Sequence, residues 1–434
     1  MTAGDQLTSD NPILFARIRR SASRWGGDNM RLITPRVADR QLFVGAKLAE
    51  VCNLACGYCY FFEQNDDSYL SAPPFMSSEI IRAAAHFLGN GARDVGIRTI
   101  SIALHGGEPL MLGKKRFVEC CKAFREGIEP YATLNLIVQT NGVLLDREWV
   151  ELLASVRCRI GVSIDGPQRI HDTARPDKSG KGSYKRVVNA IRLLKECVED
   201  GTIPSFGVLS VIDPNMSGKE AYEHLISELG ITRIDFQLPL LHWDTYDAVT
   251  VRHVKEFYNE VIEQWLSADN PNIMIRTLHS MFRPFLHEAG VEARINYITD
   301  LMEGISIRSN GDVCPDDALP PIAQQFRYTG FNVQRDTLRD FYISPVWNDI
   351  RSALLDPPKE CRNCEWFGLC GGGAVENRYS FANQFHNKSI YCELYKSLFG
   401  TIREYMRGYI SDEVIQSRLE SASQTLRSSC VPSN

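Results

Sequence analysis

This chain is short of the features that mark membrane, secreted, repetitive or nucleic-acid-binding proteins. No apolar stretch approaches the roughly 20 residues of a membrane span, and its first residues carry no signal-peptide pattern. The formal net charge is only −5, which argues against non-specific binding to nucleic acid. Internal repeats and low-complexity tracts are missing. A cytoplasmic protein with reduced thiols is expected, and neither nucleic acid nor membrane is expected as a partner. One more shortage is local. Cys52, Cys56 and Cys59 stand as C-x3-C-x2-C, and no fourth cysteine follows until Cys120. A closed zinc site wants four ligands. A cubane [4Fe–4S] cluster usually takes four thiolates, one per iron. A loop with three leaves one iron free for another ligand.

What is present is an ordinary globular composition, 44% hydrophobic and 23% charged over 434 residues. That length suits one large α/β domain and a smaller one. Thirteen cysteines in a reduced setting read as metal ligands rather than disulfides. Besides the first three, Cys361, Cys364, Cys370 and Cys392 gather near the end, and Cys314 stands alone between. Cys120, Cys121, Cys158 and Cys197 fall on predicted helices or a strand and are expected as buried thiols. Cys430 lies on a polar tail.

Short β-branched runs alternate with helix-period segments. Strands are predicted at 42–48, 98–104, 134–139, 158–164, 203–212 and 233–238. Helices are predicted at 77–89, 114–128, 146–155, 183–199, 217–229, 248–268 and 293–304. The pattern predicts a parallel sheet buried on both faces, with chemistry at the C-terminal strand ends. The expected organisation is an arm over 1–40, a core over 41–245, a helical bridge over 246–308, a cysteine-rich domain over 309–395, and a helix and tail over 396–434. The arm's Arg17, Arg19, Arg20, Arg24 and Arg31 read as a solvated face.

Four motifs follow strand ends in order. They are His105-Gly106-Gly107-Glu108-Pro109, Thr140-Asn141-Gly142, Ser163-Ile164-Asp165-Gly166, and His171-Asp172-Thr173-Ala174-Arg175. A glycine pair before an acid lets backbone approach a ligand while the carboxylate takes an ammonium. An arginine at a strand end is a natural partner for a carboxylate. Together they suit an α-amino-acid group, which could also chelate a free iron.

Set in this order, the motifs resemble the radical S-adenosylmethionine (SAM) superfamily over roughly 42–240. The resemblance implies an α/β partial (β/α)6 barrel. Cys52, Cys56 and Cys59 would hold a [4Fe–4S] cluster whose fourth iron binds SAM. Tyr58, Gly106, Gly107, Glu108, Pro109, Asn141, Ser163, Asp165, Arg175 and Leu209 would form the SAM site. Within it Gly106, Gly107 and Glu108 would meet the amino group, Ser163 and Arg175 the ribose or carboxylate, and Tyr58 and Leu209 the adenine. Glu50 departs from the threonine often found two before the first cysteine.

Cys361-x2-Cys364-x5-Cys370 with Cys392 resembles the SPASM extension of peptide-modifying radical SAM enzymes. That family's fuller pattern has seven cysteines for two auxiliary clusters. Here Ala374 stands where one would be, and Cys314 comes two places early after Gly311. The resemblance implies one auxiliary [4Fe–4S] cluster and no second, with Cys314 either an alternative ligand or a plain thiol. A four-thiolate zinc site is the rival reading.

The stretches 235–244 and 369–392 are similar to those of cyclophane-forming (Xye/Fxs/GRRM-like) maturases of ribosomally made peptides. The resemblance implies a precursor peptide, leader plus core, as partner, with a reductant such as flavodoxin or ferredoxin. SAM cleavage would give a radical that takes a β-carbon hydrogen. The peptide radical would then join an aromatic ring and lose one electron to the auxiliary cluster and one proton to a base. Asp317 is the candidate base, by alignment with the sulfatase maturases, a turn cap being the plain alternative. Asp316, His242 and Asp244 are weaker candidates. The main alternative is a sulfatase-maturase-like dehydrogenase making formylglycine, and a third is another SPASM-type peptide crosslink, a thioether. A further rival is a cluster-carrying scaffold that binds a peptide without turnover. No room is expected before the core for a separate peptide-recognition domain, so the leader is expected at the barrel edge or on 309–392.

Overall fold

The computed structural model describes residues 41–286 and 304–429. The expected arm with its arginines, nearly all of the helix expected over 293–304, and Cys430 lie outside the described residues. The described chain forms two compact units, one of residues 41–213 with 304–352 and the other of 214–286 with 353–429.

The first unit is built on five parallel strands joined through helices. Its strands are β1 (Gln41–Ala49), β2 (Thr99–Gly106), β3 (Thr133–Thr140), β4 (Cys158–Ser163) and β5 (Phe206–Val211). Each is parallel to the next, Val44 standing opposite Ile102 and Leu136 opposite Cys158. The connecting helices include Ser78–Val95, Lys114–Ile128, Arg147–Ser155 and Tyr184–Glu199. They begin where sequence supplies a cap. Ser77 accepts a hydrogen bond from the Ile80 amide at 3.2 Å, and Asp146 from that of Trp149 at 2.8 Å. Such caps each stabilise a helix start by about 1 kcal/mol.

The strands were expected to be apolar on both faces. They alternate instead. Leu42, Val44 and Ala46, Ile100, Ile102 and Leu104, and Leu134, Leu136 and Val138 are buried. The buried helix residues Ile81, Leu88, Phe117, Phe124, Leu153 and Ile191 complete this core. The other face carries Gly45 and Lys47, Ser101 and His105, and Asn135 and Gln139. It is mostly part-exposed, with Phe43 and Ile137 among the polar and small residues and with Gly45 and Lys47 buried. Cys120, Cys121, Cys158 and Cys197 are buried free thiols, as expected.

Residues 304–352 also belong to this unit, so the cysteine-rich segment expected over 309–395 is divided. Strand β8 (Gly304–Ile307) runs parallel to β1 on its free side, and β9 (Val313–Pro315) returns antiparallel. Their hairpin turns at Gly311, whose φ of +88° needs a residue without Cβ.

The second unit contains the short parallel pair β6 (Arg233–Gln237) and β7 (Met274–Ile275) and the helices Ala248–Ala268, Arg276–Leu286, Cys392–Arg407 and Asp412–Ser429. Phe236 meets Phe257 edge-on at 5.2 Å, and Trp366 stacks on Phe399 at 5.6 Å. The helix expected over 217–229 is an α-turn, Gly218–Tyr222, that widens into a π-helix over Glu223–Glu228. Among the described residues no helix is long and apolar enough to cross a membrane.

Candidate functional site

The three front cysteines sit on the loop after β1, held by backbone bonds. The Cys59 amide donates to Cys56 O at 3.1 Å, and the Ala55 amide to Pro176 O at 2.8 Å. The Leu54 amide points at Cys52 Sγ, 3.4 Å away, and Asn141 Nδ2 lies 3.8 Å from the same sulfur. Burial pushes Cys52 up to about 11 and Cys56 to about 12, and raises Cys59 as well. Three thiols sunk in low dielectric gain from a metal that makes them thiolates.

The glycine pair serves this loop. A Cβ on Gly106 would lie 2.2 Å from Ala49 O, and one on Gly107 2.1 Å from Val51 O. The Gly107 and Glu108 amides donate to those same two carbonyls, at 2.7 and 2.9 Å. The close approach expected toward a ligand is thus made first to the chain's own cysteine loop. Glu108 is fully buried and accepts from the Leu110 amide (3.0 Å), Thr140 Oγ1 (2.7 Å) and the Asn141 amide (2.8 Å). Burial still outweighs these donors and lifts its carboxyl to about 7. Pro109 opens the short turn Pro109–Leu112 that Glu108 caps.

Asp165 is the second organiser. It takes Arg175 Nε at 2.7 Å and Nη2 at 3.1 Å, the Val211 amide at 2.9 Å, and the Tyr58 hydroxyl. The Arg175 guanidinium also lies 5.4 Å from the Tyr58 ring centre. Burial would raise the Asp165 carboxyl, but Arg175 and Tyr58 hold it below the usual range. Arg175 was expected to meet the ribose or carboxylate of SAM; its Nε and Nη2 are spent on Asp165, which sets its place beside Tyr58. Ser163 Oγ accepts from Gln139 Nε2 at 2.9 Å. Leu209, opposite Ser163 in the sheet, is half-buried.

Asp317 follows β9 and reaches the polar face of the sheet. Its Oδ1 lies 3.3 Å from Lys47 Nζ and its Oδ2 3.6 Å from His105 Nε2. Tyr60, next to Cys59, donates its hydroxyl to Oδ2. Burial opposes ionisation, but Lys47, His105 and Tyr60 outweigh it and hold the carboxyl at about 2. Burial pushes the His105 imidazole below its usual range, against the pull of Asp317. Gly45 leaves room for its ring, since a Cβ there would lie 2.8 Å from Nε2. Asp316 is the turn residue instead. It has φ +56° and accepts from the Ala318 amide at 2.8 Å. Lys47, Tyr60 and His105 were not singled out from sequence as partners of Asp317. A lysine inside the apolar run Leu42–Leu48 was the available signal.

In the second unit, Cys361, Cys364, Cys370 and Cys392 line one cavity of ≈ 60 Å³, walled by Trp366 and Phe367. Burial raises Cys361 to about 11 and Cys370 to about 12. Cys314 is buried in β9 of the first unit, with its thiol toward Arg327 O at 3.5 Å. His242 and Asp244 form a capped turn. His242 Nδ1 accepts from the Asp244 amide at 3.3 Å, and Asp244 accepts from the Phe381 amide at 2.9 Å.

Residues 47–222 match the profile of the Radical SAM superfamily. The first unit has the α/β radical SAM fold. Sequence relatives include the cysteine-type anaerobic sulfatase-maturating enzyme of Clostridium perfringens strain 13, 24% identical over 371 residues, 80% of this chain and 92% of the relative. The serine-type enzyme of Bacteroides thetaiotaomicron is 26% identical over 399 residues, 85% of this chain and 91% of the relative. The solved structure of native anSMEcpe with bound AdoMet and Cp18Cys peptide superposes with a TM-score of 0.67 at 21% identity, covering 85% of this chain and 98% of that one. It shares the fold.

A radical SAM domain takes a [4Fe–4S] cluster and SAM, and the residues present fit both. Three half-buried thiols and a turned-in amide fit iron. Glu108, a buried carboxyl with raised proton affinity and only neutral donors, suits the ammonium of an amino-acid ligand. Among the described residues no three Cys, His, Asp or Glu side chains converge tightly enough for a single metal ion. A cubane instead takes its thiolates at separate corners.

Proposed function

We propose that this chain is a SAM-dependent radical oxidase of a ribosomally made peptide, and that its product is a C–C crosslink between an aromatic ring and a neighbouring β-carbon. Bound at the cysteine loop, the cluster and SAM would supply a carbon radical that takes a hydrogen atom. The chain's own residues do the rest. Cys52, Cys56 and Cys59 hold the cluster, and Glu108 and Asn141 orient the amino-acid end. The part-exposed face bearing His105, Gln139 and Ser163 receives the peptide carbon. The group around Asp317 accepts the proton released when the ring regains aromaticity.

The observation that carries the crosslink reading is the cysteine inventory. Four cysteines line the second-unit cavity, Ala374 stands in place of another, and Cys314 is committed to β9. The resemblance assigns seven cysteines to sulfatase maturases. The second reading, oxidation of a Cys or Ser side chain to formylglycine, is favoured by the relatives' names and by an Asp317 placed for the same proton. Both products need the peptide to lose two hydrogens at this step.

The test is anaerobic incubation of the reconstituted protein with SAM, a reductant and the short peptide encoded beside it. Loss of two hydrogens, with fragment ions missing between two residues, supports the crosslink. An aldehyde trapped by a hydrazide sinks it in favour of formylglycine. For the leader, the β9 edge is partly taken, since the Val313 amide donates to Phe331 O and the Thr329 hydroxyl donates to Val313 O. Strand addition at β9 is poorly served, and the leader is proposed to bind elsewhere on the barrel edge or on the surface of 309–392. A photo-crosslink to neither that surface nor the barrel edge would overturn this placement.

A further inference from the structure

Arg378 is a large, fully buried cation without an ion-pair partner among the described residues. It is 0% exposed. Its fork is spent unevenly. Nε donates to the carbonyls of Phe385 and Asn387, at 3.1 and 3.3 Å, and Nη2 to Ala353 O at 2.7 Å. Nη1 is buried and makes no hydrogen bond among the described residues. Beside Nη1 lies Gly372, where an added Cβ would sit 3.4 Å from it at φ +93°. The Gly372 amide in turn points at Cys370 Sγ, 3.4 Å away.

A buried guanidinium costs several kcal/mol unless an anion answers it. The acidic groups that it senses most strongly are Cys361 and then Cys370, with Asp356 weaker. Lys388 and Lys396 also line the cysteine cavity, but Lys396 is exposed and Lys388 half-buried, so water screens them. Arg378 has no such screen. Three carbonyls explain why the side chain is held. They do not explain why a full charge is kept where a neutral donor would do.

We infer that Arg378 is the charge that sets the reduction potential of the iron–sulfur cluster held by Cys361, Cys364, Cys370 and Cys392. The inference rests on the reading that those four cysteines hold such a cluster rather than zinc. Cluster potentials follow net charge, hydrogen bonds to sulfur and exposure. A cluster with four thiolates is anionic and becomes more so by one charge on reduction. A buried cation beside it favours the reduced state and moves the potential upward. That suits a cluster that receives an electron. The peptide radical gives up one electron and one proton, the electron reduces this cluster by one, and the proton goes to the base. A soluble one-electron carrier then takes the electron away.

The experiment is an EPR-monitored redox titration of the full-length holoenzyme, with iron and zinc measured on each sample. The signal that ignores added SAM is followed, in wild type, Arg378→Gln and Arg378→Lys. The expected result is a midpoint shifted to more negative potential in R378Q and close to wild type in R378K. An unmoved midpoint in R378Q overturns the inference, as does an equal shift in both variants, which would assign the effect to the lost fork. If R378Q loses its iron while R378K keeps it, the charge requirement stands. If both lose it, the residue is only a carbonyl bridge and the inference falls. Zinc in wild type, with iron for one cluster only, removes the cluster reading itself and is told apart from these outcomes by the metal analysis.

Discussion

Cys52, Cys56 and Cys59 come from eight residues of one loop, whereas Cys361, Cys364, Cys370 and Cys392 are drawn from a span of thirty-two. The surroundings differ as much as the spacing. The front loop lies among polar side chains already braced by one another: Asn141, Glu108, and Arg175 with Asp165 and Tyr58. The rear cavity is walled by Trp366 and Phe367 and backed by Arg378. Fewer protein ligands and a polar neighbourhood make a site that admits a further polar molecule. The rear cavity, lined also by Lys388 and Lys396, offers a full set of four cysteines. On the proposed reading the same residue type is used once to leave a corner open and once to close it.

The hardest way to break this contrast is to remove one thiolate from each site. Cys56→Ala should bring 5′-deoxyadenosine formation from SAM down to background. Cys370→Ala should leave SAM cleavage in place and abolish the modified peptide. Iron should fall from about eight to about four per chain in either variant. Equal loss of SAM cleavage in both would erase the distinction between an open and a closed site.

A smaller effect is expected from the braces. Asp165→Asn strips the counter-charge from a buried Arg175 and should cost about 3–5 kcal/mol. Denaturant unfolding would read this as a lower midpoint, and SAM cleavage should fall with it. A midpoint within error of wild type would mean that the Asp165 hub is not what holds Tyr58 and Arg175.

Proton handling should be separable from both. Asp317→Asn should lower peptide product about 10²-fold while 5′-deoxyadenosine still forms, an uncoupled turnover. Because Asp317 is held at about 2, below the usual carboxylate value near 3.9, it binds its proton less readily in the folded state. Its contribution to stability, about 2 kcal/mol, is therefore fully present above about pH 4 and is lost as pH falls toward 2. His105 is shifted the same way, so its share is present above about pH 6.5 and is lost on acidification. Unfolding midpoints in wild type and D317N should converge at low pH. Parallel curves would remove the claim that Lys47, His105 and Tyr60 stabilise the ionised form.

The strands and the ordered motifs were legible because their signals are local. Apolar β-branched runs and a helix face such as Val187, Val188, Ile191 and Leu194, all buried, need nothing from the rest of the chain. The roles of the motif residues were less legible. Gly106 and Gly107 read as ligand-facing because sequence does not say what approaches them, and the answer is Ala49 and Val51 of their own fold. The return of β8 beside β1 was invisible. Gly304–Ile307 is four residues long, and its partner strand begins at Gln41, so pairing is decided by long-range packing that no window contains. That return carries Asp317 to Lys47, which is why Asp317 could be named as a candidate base but its partners could not. The grouping of the chain was hidden for the same reason: residues 309–352 read in sequence as the start of a cysteine-rich domain, and in the structure 304–352 group with the sheet of the first unit.

His242 supplies the mildest test, at a residue that looks catalytic and is built as a cap. It is buried, burial lowers its pKa, and its Nδ1 accepts the Asp244 amide while its own amide donates to Thr245 Oγ1 at 3.0 Å. A side chain that spends its lone pair on the backbone has none left for a substrate proton. Gln at 242 can offer an oxygen to the same amide. His242→Gln should therefore cost about 1 kcal/mol or less and leave both 5′-deoxyadenosine and peptide product within about threefold of wild type. The contrast with D317N is what sharpens the assignment. One substitution removes a group that faces the polar side of the sheet, and the other a group that closes a turn. If H242Q instead kept SAM cleavage and lost peptide product, the acceptor would lie in the second unit, and the cluster around Asp317 would be reduced to a structural ion pair.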